Sequence, residues 1–169
     1  MKLAYVALGS NLGERLENLK HALEMLEREA GITVQAVSAV YETAPVGGPE
    51  QGPFLNACAV LATDLSPTQL LLRMLESENV MGRIRKERWG PRIIDLDLLI
   101  FNGVAMNTPL LELPHPRLTE RDFVLIPLAD IVPDLLVPTK GKTVREILAT
   151  RRPANDVQLF QPPSWFAIK

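Results

Sequence analysis

Residues 54–81 read FLNACAVLATDLSPTQLLLRMLESENVM and encode one strand followed by one helix. The apolar run Phe54–Thr63 has the length and composition of a buried strand. Ser66 and Pro67 mark the start of a helix, because a serine hydroxyl accepts hydrogen bonds from first-turn N–H groups and a proline there has no N–H to satisfy. We expect the helix to run to about Met81. The strands and helices predicted on either side of residues 54–81 therefore decide the fold to which this strand–helix unit belongs.

The sequence before residue 54 predicts two more strands and another helix. Leu3–Leu8 is a short apolar strand, and Asn11 is the expected N-cap of an amphipathic helix that ends at Gly31. Thr33–Tyr41 is rich in valine and predicts a second strand. Thr43–Pro53 contains three prolines and three glycines, so we expect a long loop there.

The sequence after residue 81 continues the alternation and then becomes irregular. Gly82–Arg92 predicts a second loop, and Ile93–Phe101 predicts a buried strand. Farther on, Val104–Met106 predicts a short hairpin arm. Short helices are expected near Asp122–Asp130 and Val144–Ala149.

The resulting order of strand, helix, strand, strand, helix and strand predicts an α+β fold. It is typical of a ferredoxin-like βαββαβ antiparallel sheet with both helices on one face and long loops at the site. A chain of 169 residues is long enough for one substantial core, so we expect a single domain over residues 1–169. Its core would end at about residue 150, leaving residues 152–169 as a C-terminal extension of unassigned role.

Composition and charge exclude several functional classes. The hydrophobic content of 47% and the charged content of 22% are ordinary for a globular protein. The formal net charge of −2 argues against a general nucleic-acid or membrane binder, since those partners favour a basic surface. Cys58 is the only cysteine and lies in an apolar run, so we expect a buried thiol in a reducing, cytoplasmic compartment. No apolar stretch reaches membrane-spanning length.

Two aspartates interrupt the strand Ile93–Phe101. Side chains two residues apart in a strand point to the same face, so Asp95 and Asp97 are roughly 6.6 Å apart along the chain. Carboxylates at this spacing can hold divalent cations, and oxygen ligands without a cysteine or a histidine pair favour Mg²⁺ over zinc. Pairing with arginines at a sheet edge explains the aspartates equally well, and the aspartates alone do not decide between the two.

A cluster of basic residues precedes these aspartates, at Arg83, Arg85, Lys86, Arg88 and Arg92. A charge run is usually a solvated face, but this one adjoins two carboxylates and is punctuated by glycine and proline as a hinged lid would be. Arginine fits phosphate oxygens, and Mg²⁺ is commonly held by carboxylates together with substrate phosphates. The combination therefore indicates a polyphosphate site.

Phe54 and Asn56 share one face of their strand. A polar amide beside an aromatic ring suits a flat heterocycle that both stacks and forms hydrogen bonds. A pair that simply faces the core is the alternative, and without further information it is the simpler one.

Four motifs carry a resemblance to a known family: GSNLG at 9–13, RKERWGPRIIDLDLLIF at 85–101, PHPRL at 114–118 and RDF at 121–123. In this order they resemble the 6-hydroxymethyl-7,8-dihydropterin pyrophosphokinases of folate biosynthesis, from residue 1 to about residue 150. The resemblance implies a ferredoxin-like α+β fold and two Mg²⁺ ions. It also implies transfer of pyrophosphate from ATP to the hydroxymethyl group of the pterin, giving the pterin diphosphate and AMP.

The same resemblance implies roles for individual residues. The catalytic residues would be Arg83, Arg92, Asp95 and Asp97, of which Asp95 and Asp97 would be the metal ligands. The pterin would be bound by Thr43, Pro45, Val46, Phe54, Asn56 and Phe123. The ATP would be bound by Glu78, Arg85, Arg88, Trp89, Arg92, His115 and Arg121. The chain departs from polar or aromatic residues that contact ATP in some members at Leu75, Leu110, Glu112 and Pro116.

Partners and rival functions follow from the same observations. ATP and the pterin would be small-molecule substrates, no nucleic acid or membrane is expected, and the next enzyme of the folate pathway is a candidate partner. The residues by themselves also allow another Mg²⁺-dependent phosphate-processing enzyme, such as a nuclease, or an RNA-binding ferredoxin-like module. The acidic balance of the chain argues against the RNA-binding alternative.

Overall fold

The structure, a computed structural model, describes residues 1–44, 51–82 and 93–169. The strands are β1 (Lys2–Ser10), β2 (Ile32–Val37), β3 (Val40–Thr43), β4 (Phe54–Thr63), β5 (Asp95–Phe101), β6 (Met106–Asn107), β7 (Glu112–Leu113), β8 (Leu136–Val137), β9 (Lys142–Thr143) and β10 (Val157–Gln161). The α-helices are α1 (Arg15–Arg28), α2 (Pro67–Val80), α3 (Asp122–Ile131) and α4 (Val144–Ala149). Short 3₁₀ helices occupy Leu118–Glu120 and Pro163–Trp165. No helix among these residues is long and apolar enough to cross a membrane.

One antiparallel sheet forms the centre of the molecule. Its strand order is β10-β3-β4-β1-β5, and β2 also pairs with β4. The long strand β4 is paired with β1 along one edge and with both β2 and β3 along the other. Two small hairpins, β6–β7 and β8–β9, lie outside this sheet.

Alternate residues of the sheet face two separate apolar layers. In β1, Ala4 and Val6 belong to the core shared with α1 and α2, whereas Tyr5 and Ala7 belong to the core shared with α3 and α4. This is the period-two pattern of a strand that is covered on both faces. The first two helices therefore share a face, as predicted, and the irregular last third of the chain supplies a second helical layer on the opposite face.

The predicted strand Thr33–Tyr41 is wrong in one respect, because it is two strands separated at Ser38. The Ser38 hydroxyl accepts a hydrogen bond from the Cys58 N–H at 2.8 Å and donates to the Ala39 carbonyl at 2.7 Å. The indole N–H of Trp165 donates to the Ser38 carbonyl at 2.7 Å. Side-chain hydrogen bonds thus replace part of the regular ladder at this point. Thr43, predicted to begin a loop, instead ends β3.

The two long helices start differently. Ser66 caps α2 as predicted, in a capping box in which Ser66 and Gln69 each bond the other's backbone N–H. The predicted cap at Asn11 is wrong, since α1 begins at Arg15. The Asn11 amide donates instead to Gln51 Oε1 at 2.6 Å and to the Gly52 carbonyl at 3.3 Å. The Asn11 side chain therefore binds a segment that is distant in sequence and does not cap the helix that follows it.

The remaining predicted elements are present with small shifts. The predicted hairpin arm is the pair β6–β7, and the two late helices are α3 and α4. The C-terminal extension contains β10, which pairs with β3 at the edge of the sheet. Most of the predicted loops at 43–53 and 82–92 lies outside the described residues.

Candidate functional site

A continuous row of residues crosses the sheet at one end. Tyr41 of β3 faces Asn56 of β4, Asn56 faces Gly9 of β1, and Gly9 faces Asp95 of β5. Residues that face each other in antiparallel strands project from the same side of the sheet. The row therefore brings the predicted pterin residue Asn56 and the predicted metal ligand Asp95 onto one surface, which we call the site face.

Asp95 and Asp97 both project from the site face and are partly exposed, while Leu96 between them is buried. The carboxylate of Asp97 is 35% exposed, with Oδ2 at 3.8 Å from Arg121 Nη1 and Oδ1 at 4.0 Å from His115 Nε2. An arginine near a strand-edge carboxylate was the alternative explanation for these aspartates. The distance to Arg121 is that of a loose ion pair, so it does not exclude a metal from the carboxylate.

His115 reaches this position because β5 contains an irregularity. Tyr5 faces Ile100 and Val6 faces Leu98, so Leu99 is an extra residue in the β1–β5 register. The Leu99 carbonyl accepts a hydrogen bond from the His115 N–H at 2.8 Å. A β-bulge leaves backbone groups outside the ladder, and here one of them fixes the loop that carries the imidazole.

The protonation of His115 is set by its surroundings. Its Nδ1 accepts a hydrogen bond from the Arg117 backbone N–H at 3.1 Å, which leaves Nε2, the nitrogen nearer Asp97, to carry the proton of the neutral ring. Burial, together with the charges of Arg121 and Arg117 and against an opposing effect of Asp95, lowers the pKa of His115 to about 4. The imidazole is therefore a neutral hydrogen-bond donor at neutral pH.

Arg121 connects the two halves of the site. It precedes the first residue of α3, and its guanidinium carbon lies 5.6 Å from the ring centroid of Phe123. Its Nη1 approaches Asp97. One guanidinium thus contacts both a predicted metal ligand and a predicted pterin-stacking ring, in the geometry of a cation–π interaction with the latter.

The predicted pterin residues on the sheet form a hydrogen-bonded pair beside an aromatic ring. The Asn56 amide donates to Thr43 Oγ1 at 2.7 Å, and the two side chains are 7% and 4% exposed. Phe54 is partly exposed and projects from the same face, two residues from Asn56. Phe123, at the start of α3, is partly buried in the core layer on this side. The alternative that this pair simply faces the core therefore does not fully account for Phe54, because Phe54 is partly exposed.

Glu78 has a contact that its sequence position does not reveal. It is 2% exposed on α2, and its Oε2 accepts a hydrogen bond from the Leu96 N–H at 2.7 Å. Leu96 lies between Asp95 and Asp97, so this carboxylate fixes the backbone that presents both aspartates. Contact of Glu78 with ATP remains a prediction.

The positions that depart from the family lie on the surface around β5. Leu75 is 38% exposed and Leu110 is 53% exposed. Glu112 and Pro116 line a cleft of about 420 Å³ together with His115. Seven of the predicted site residues lie outside the described ranges: Pro45, Val46, Arg83, Arg85, Arg88, Trp89 and Arg92.

Two residues near the site were not predicted to have a role. Gly9 lies in the row between Asn56 and Asp95. Arg15 pairs with Glu42 at 2.8 Å and donates to the Pro53 carbonyl at 3.0 Å, at the end of the predicted pterin loop. The motif GSNLG contains Gly9 and was the available signal for it, whereas no motif singled out Arg15.

The described residues offer a metal only a small set of ligands. Within residues 1–44, 51–82 and 93–169, no group of three or more histidine, cysteine, aspartate or glutamate side chains is arranged to hold a metal ion. Asp95 and Asp97 are two partly exposed carboxylates, whereas the Cys58 thiol is fully buried. This donor set fits Mg²⁺, which is typically held by one or two carboxylates and completed by substrate phosphates and water.

Comparisons with known proteins agree on one family. A sequence profile described as 7,8-dihydro-6-hydroxymethylpterin-pyrophosphokinase (HPPK) matches residues 5–133. The chain is 46% identical over 155 residues to a 2-amino-4-hydroxy-6-hydroxymethyldihydropteridine pyrophosphokinase of Methylorubrum extorquens, covering 92% of this chain and 97% of that protein. It is 49% identical over 129 residues to the Bacillus subtilis enzyme of the same name, covering 76% of this chain and 77% of that protein.

Among solved structures, the wild-type HPPK-DHPS of Plasmodium falciparum has a similar fold. The TM-score is 0.73 at 17% sequence identity, and the match covers 88% of this chain. This chain spans only 44% of that longer protein. At this level of identity the likeness concerns the fold alone.

Proposed function

Since the chain belongs to the 7,8-dihydro-6-hydroxymethylpterin-pyrophosphokinase family, we propose that the site face is its active site. The protein is a pyrophosphokinase of folate biosynthesis, which transfers pyrophosphate from ATP to the hydroxymethyl group of 6-hydroxymethyl-7,8-dihydropterin. The observation that supports the proposed location is the row in which Asn56, Gly9 and Asp95 face one another across three strands. In this proposal, the group that binds the heterocycle and the group that binds the cation lie on one surface of the sheet.

The pterin binds at the Thr43–Asn56 end of the row. The side chains of Thr43 and Asn56 offer hydrogen-bonding groups, and the rings of Phe54 and Phe123 offer two apolar surfaces for stacking. From the family resemblance, we also propose that the backbone at Pro45 and Val46 binds the pterin at this end. Discrimination against other flat rings follows because a ligand that fails to match Asn56 leaves buried polar groups unpaired.

The pyrophosphate is transferred at the aspartate end. Asp95 and Asp97 would hold Mg²⁺, and we propose two ions, as the resemblance implies. Bound Mg²⁺ supplies charge neutralisation for the phosphate oxygens and orients them for in-line displacement. The hydroxymethyl oxygen attacks the β-phosphorus of ATP while the bond from that phosphorus to the oxygen shared with the α-phosphate breaks. AMP leaves with that oxygen, and the hydroxyl proton passes to water. Catalysis then consists mainly of positioning and electrostatic stabilisation.

The protein's own groups around Asp97 bind the phosphates and keep their orientation. Neutral His115, whose Nε2 lies 4.0 Å from Asp97, would donate a hydrogen bond to a phosphate oxygen, and Arg121 adds a positive charge at the start of α3. Glu78 holds the β5 backbone in place. Binding of ATP by Arg85, Arg88 and Trp89, and stabilisation of the transferred group by Arg83 and Arg92, are proposed from the family resemblance. A loop that closes over these groups would exclude water from ATP.

The cleft beside β5 is the proposed nucleotide end of the site. It is lined by Glu112, His115 and Pro116, adjoins Asp97 through His115, and has room for a heterocycle. The exposed Leu110 lies in the turn that precedes β7. Leu110 and Pro116 stand where polar or aromatic residues contact ATP in some members, so at these two positions the adenosine would meet apolar side chains.

Incubation of the protein with the pterin, ATP and Mg²⁺ tests the function directly. Stoichiometric formation of AMP and pterin diphosphate is expected, with neither product when the pterin or Mg²⁺ is omitted. Release of ADP and inorganic phosphate, or AMP formation without the pterin, would identify a different phosphate-processing enzyme. Titration with a single-stranded RNA oligonucleotide is expected to give no binding.

Several coarser properties follow from the same proposal. We propose a ferredoxin-like core, because β1, α1, the β2–β3 segment, β4, α2 and β5 occur in that order and β1 lies between β4 and β5. We propose one domain over residues 1–169, because β10 extends the same sheet. A cytoplasmic location and contact with the next enzyme of the pathway remain predictions. The fused HPPK-DHPS chain of Plasmodium falciparum supports the latter.

A further inference from the structure

Gly9 lies at the centre of the site face. In β1 it faces Asn56 of β4 on one side and Asp95 of β5 on the other. Neighbouring strands are about 4.8 Å apart, so Asn56 and Asp95 are separated by about two strand spacings, or about 10 Å. A substrate that contacts both must pass over β1 at residue 9.

The space above Gly9 is already limited by its neighbours. A Cβ atom built on Gly9 would lie 3.0 Å from Asn56 Oδ1 and 3.6 Å from Phe54 Cδ1. The Asn56 amide is held by Thr43 Oγ1 at 2.7 Å and is 7% exposed, so it has little freedom to move aside. A methyl group at this position would require the Asn56 side chain to shift by a few tenths of an ångström, against the hydrogen bond that holds it to Thr43.

The backbone itself does not require glycine here. Gly9 is not among the glycines with a positive φ, and it is paired on both sides within a regular part of the ladder. Alanine is compatible with an extended strand conformation. The feature that matters at residue 9 is therefore the missing side chain and not the conformational freedom of glycine.

We propose that Gly9 is a positioning residue of the pterin site. Its missing side chain leaves the space through which the hydroxymethyl group of the pterin reaches the phosphates at Asp95, and it lets Asn56 keep the orientation that binds the ring. This inference rests on the proposed function and adds a residue to it. The glycine acts through Asn56 and through the shape of the site face, without contributing a chemical group of its own.

The substitution Gly9→Ala tests the proposal in the full-length protein. The Kd of the pterin is expected to rise at least about tenfold, because the Asn56 amide loses its position and buried polar groups go unpaired. The Kd of a non-hydrolysable ATP analogue with Mg²⁺ is expected to change by less than about twofold, since the contacts near His115 lie on β5 and beyond. Calorimetric titration with each ligand separately gives both values.

Leu136→Ala is the control, because it changes a side chain outside the proposed site. Leu136 is 60% exposed and belongs to the small hairpin β8–β9, which lies outside the central sheet. The control is expected to bind the pterin within about twofold of the wild type, as surface substitutions away from special features usually do.

A double-mutant cycle with Asn56→Ala separates the proposed mechanism from general damage. If the added methyl group acts by displacing Asn56, then Gly9→Ala has less than about a twofold further effect on pterin binding once Asn56 is alanine. Fully additive losses would overturn the proposed coupling. A pterin Kd of Gly9→Ala equal to that of the wild type would overturn the proposal as a whole.

The wild-type protein provides a test that does not depend on folding of the variant. In a crystal structure with bound pterin, the hydroxymethyl side of the ligand is expected within about 4.5 Å of the Gly9 backbone. A ligand that lies elsewhere on the sheet would overturn the proposal. Wild-type protein that forms no pterin diphosphate from ATP would refute the proposed function, whereas active wild type with an indifferent Gly9→Ala variant would refute only the role of Gly9.

Discussion

At the scale of single residues, Asp97 has neighbours of different kinds. A neutral imidazole and a guanidinium both lie near its carboxylate, at 4.0 Å and 3.8 Å. Both distances exceed those of a tight hydrogen bond, so neither group saturates the carboxylate oxygens. The carboxylate is 35% exposed, so a cation can approach it, as the predicted metal role requires.

The substitution Asp97→Asn is expected to lower kcat at least about a hundredfold, because an amide lacks the charge that holds a divalent cation. The pterin Kd is expected to stay within about twofold, since Asn56 and Thr43 are unaltered. Steady-state kinetics and pterin titration check the two values. Asp134→Asn is the control, because Asp134 is 82% exposed and pairs with Arg145. A variant retaining more than about a tenth of the wild-type kcat would contradict the metal role.

Cys58 gives a second prediction at this scale. It is fully buried, and burial raises the pKa of its thiol, with the charges of Asp130 and Asp97 raising it further. A raised pKa keeps the sulfur protonated and unreactive, since the thiolate is the nucleophile. The native protein at pH 8 is expected to react with a thiol reagent far more slowly than the unfolded protein. Rapid stoichiometric labelling of native protein would show that the site face opens as far as β4.

Residues could be selected as site candidates from sequence where their chemistry does not fit their surroundings. Asp95 and Asp97 were predicted to be metal ligands because charged side chains in an apolar strand require an explanation. No site role was predicted for Gly9, because a glycine before a turn has an ordinary local explanation. The contact of Glu78 with Leu96 was also not predictable, since it depends on how α2 packs against β5.

At the scale of elements, the C-terminal segment supports β3 from two sides. Strand β10 pairs with β3 so that Val157 faces Thr43. The guanidinium carbon of Arg15 lies 5.6 Å from the ring centroid of Phe160, and the same guanidinium forms an ion pair with Glu42 of β3. Trp165 then bonds the carbonyl at the break between β2 and β3. The segment of unassigned role thus packs against the strand that carries a predicted pterin residue.

The substitution Trp165→Phe is expected to lower the free energy of unfolding by about 1–3 kcal/mol, because the buried Ser38 carbonyl loses its indole donor. Chemical denaturation measures this value, provided that the free energy of unfolding depends equally steeply on denaturant concentration in the variant and the wild type. Leu159→Ala, at a side chain that is 65% exposed in β10, is the control and is expected to change stability by less than about 0.5 kcal/mol. Equal losses for the two variants would mean that the hydrogen bond is not important.

Elements were predicted well where their signals are local. The capping box at Ser66 involves residues three apart and was identifiable from sequence, with α2 as the result. The predicted cap at Asn11 was wrong because Gln51 and Gly52, about forty residues away in sequence, accept the hydrogen bonds of that side chain. The break at Ser38 likewise depends on Cys58 and Trp165, which no local pattern connects with it.

At the scale of the whole molecule, the two faces of the sheet differ in how completely they are covered. The face covered by α1 and α2 is packed continuously, from Leu8 through Leu61 to Phe101. The opposite face is covered by α3 and α4, and at the end where α3 begins the site face stays accessible. The order of β1, α1, the β2–β3 segment, β4, α2 and β5 was predictable from periodicity, although the break between β2 and β3 was not. The helices α3 and α4 were also predicted, but their packing as a second layer was not, because it depends on contacts with β4 and with each other that no local pattern reveals.

The whole chain is expected to unfold as one unit, including the C-terminal segment. Trp165 is 5% exposed and belongs to the same core cluster as α1 and α2, so its burial requires the sheet to be intact. In a Trp89→Phe background, Trp165 is the only tryptophan, and its fluorescence reports on that segment alone. Urea unfolding followed by this fluorescence and by far-ultraviolet circular dichroism is expected to give coincident midpoints, as two-state unfolding requires. A fluorescence transition at lower urea would show that residues 152–169 detach first, and the single domain would then end near residue 150.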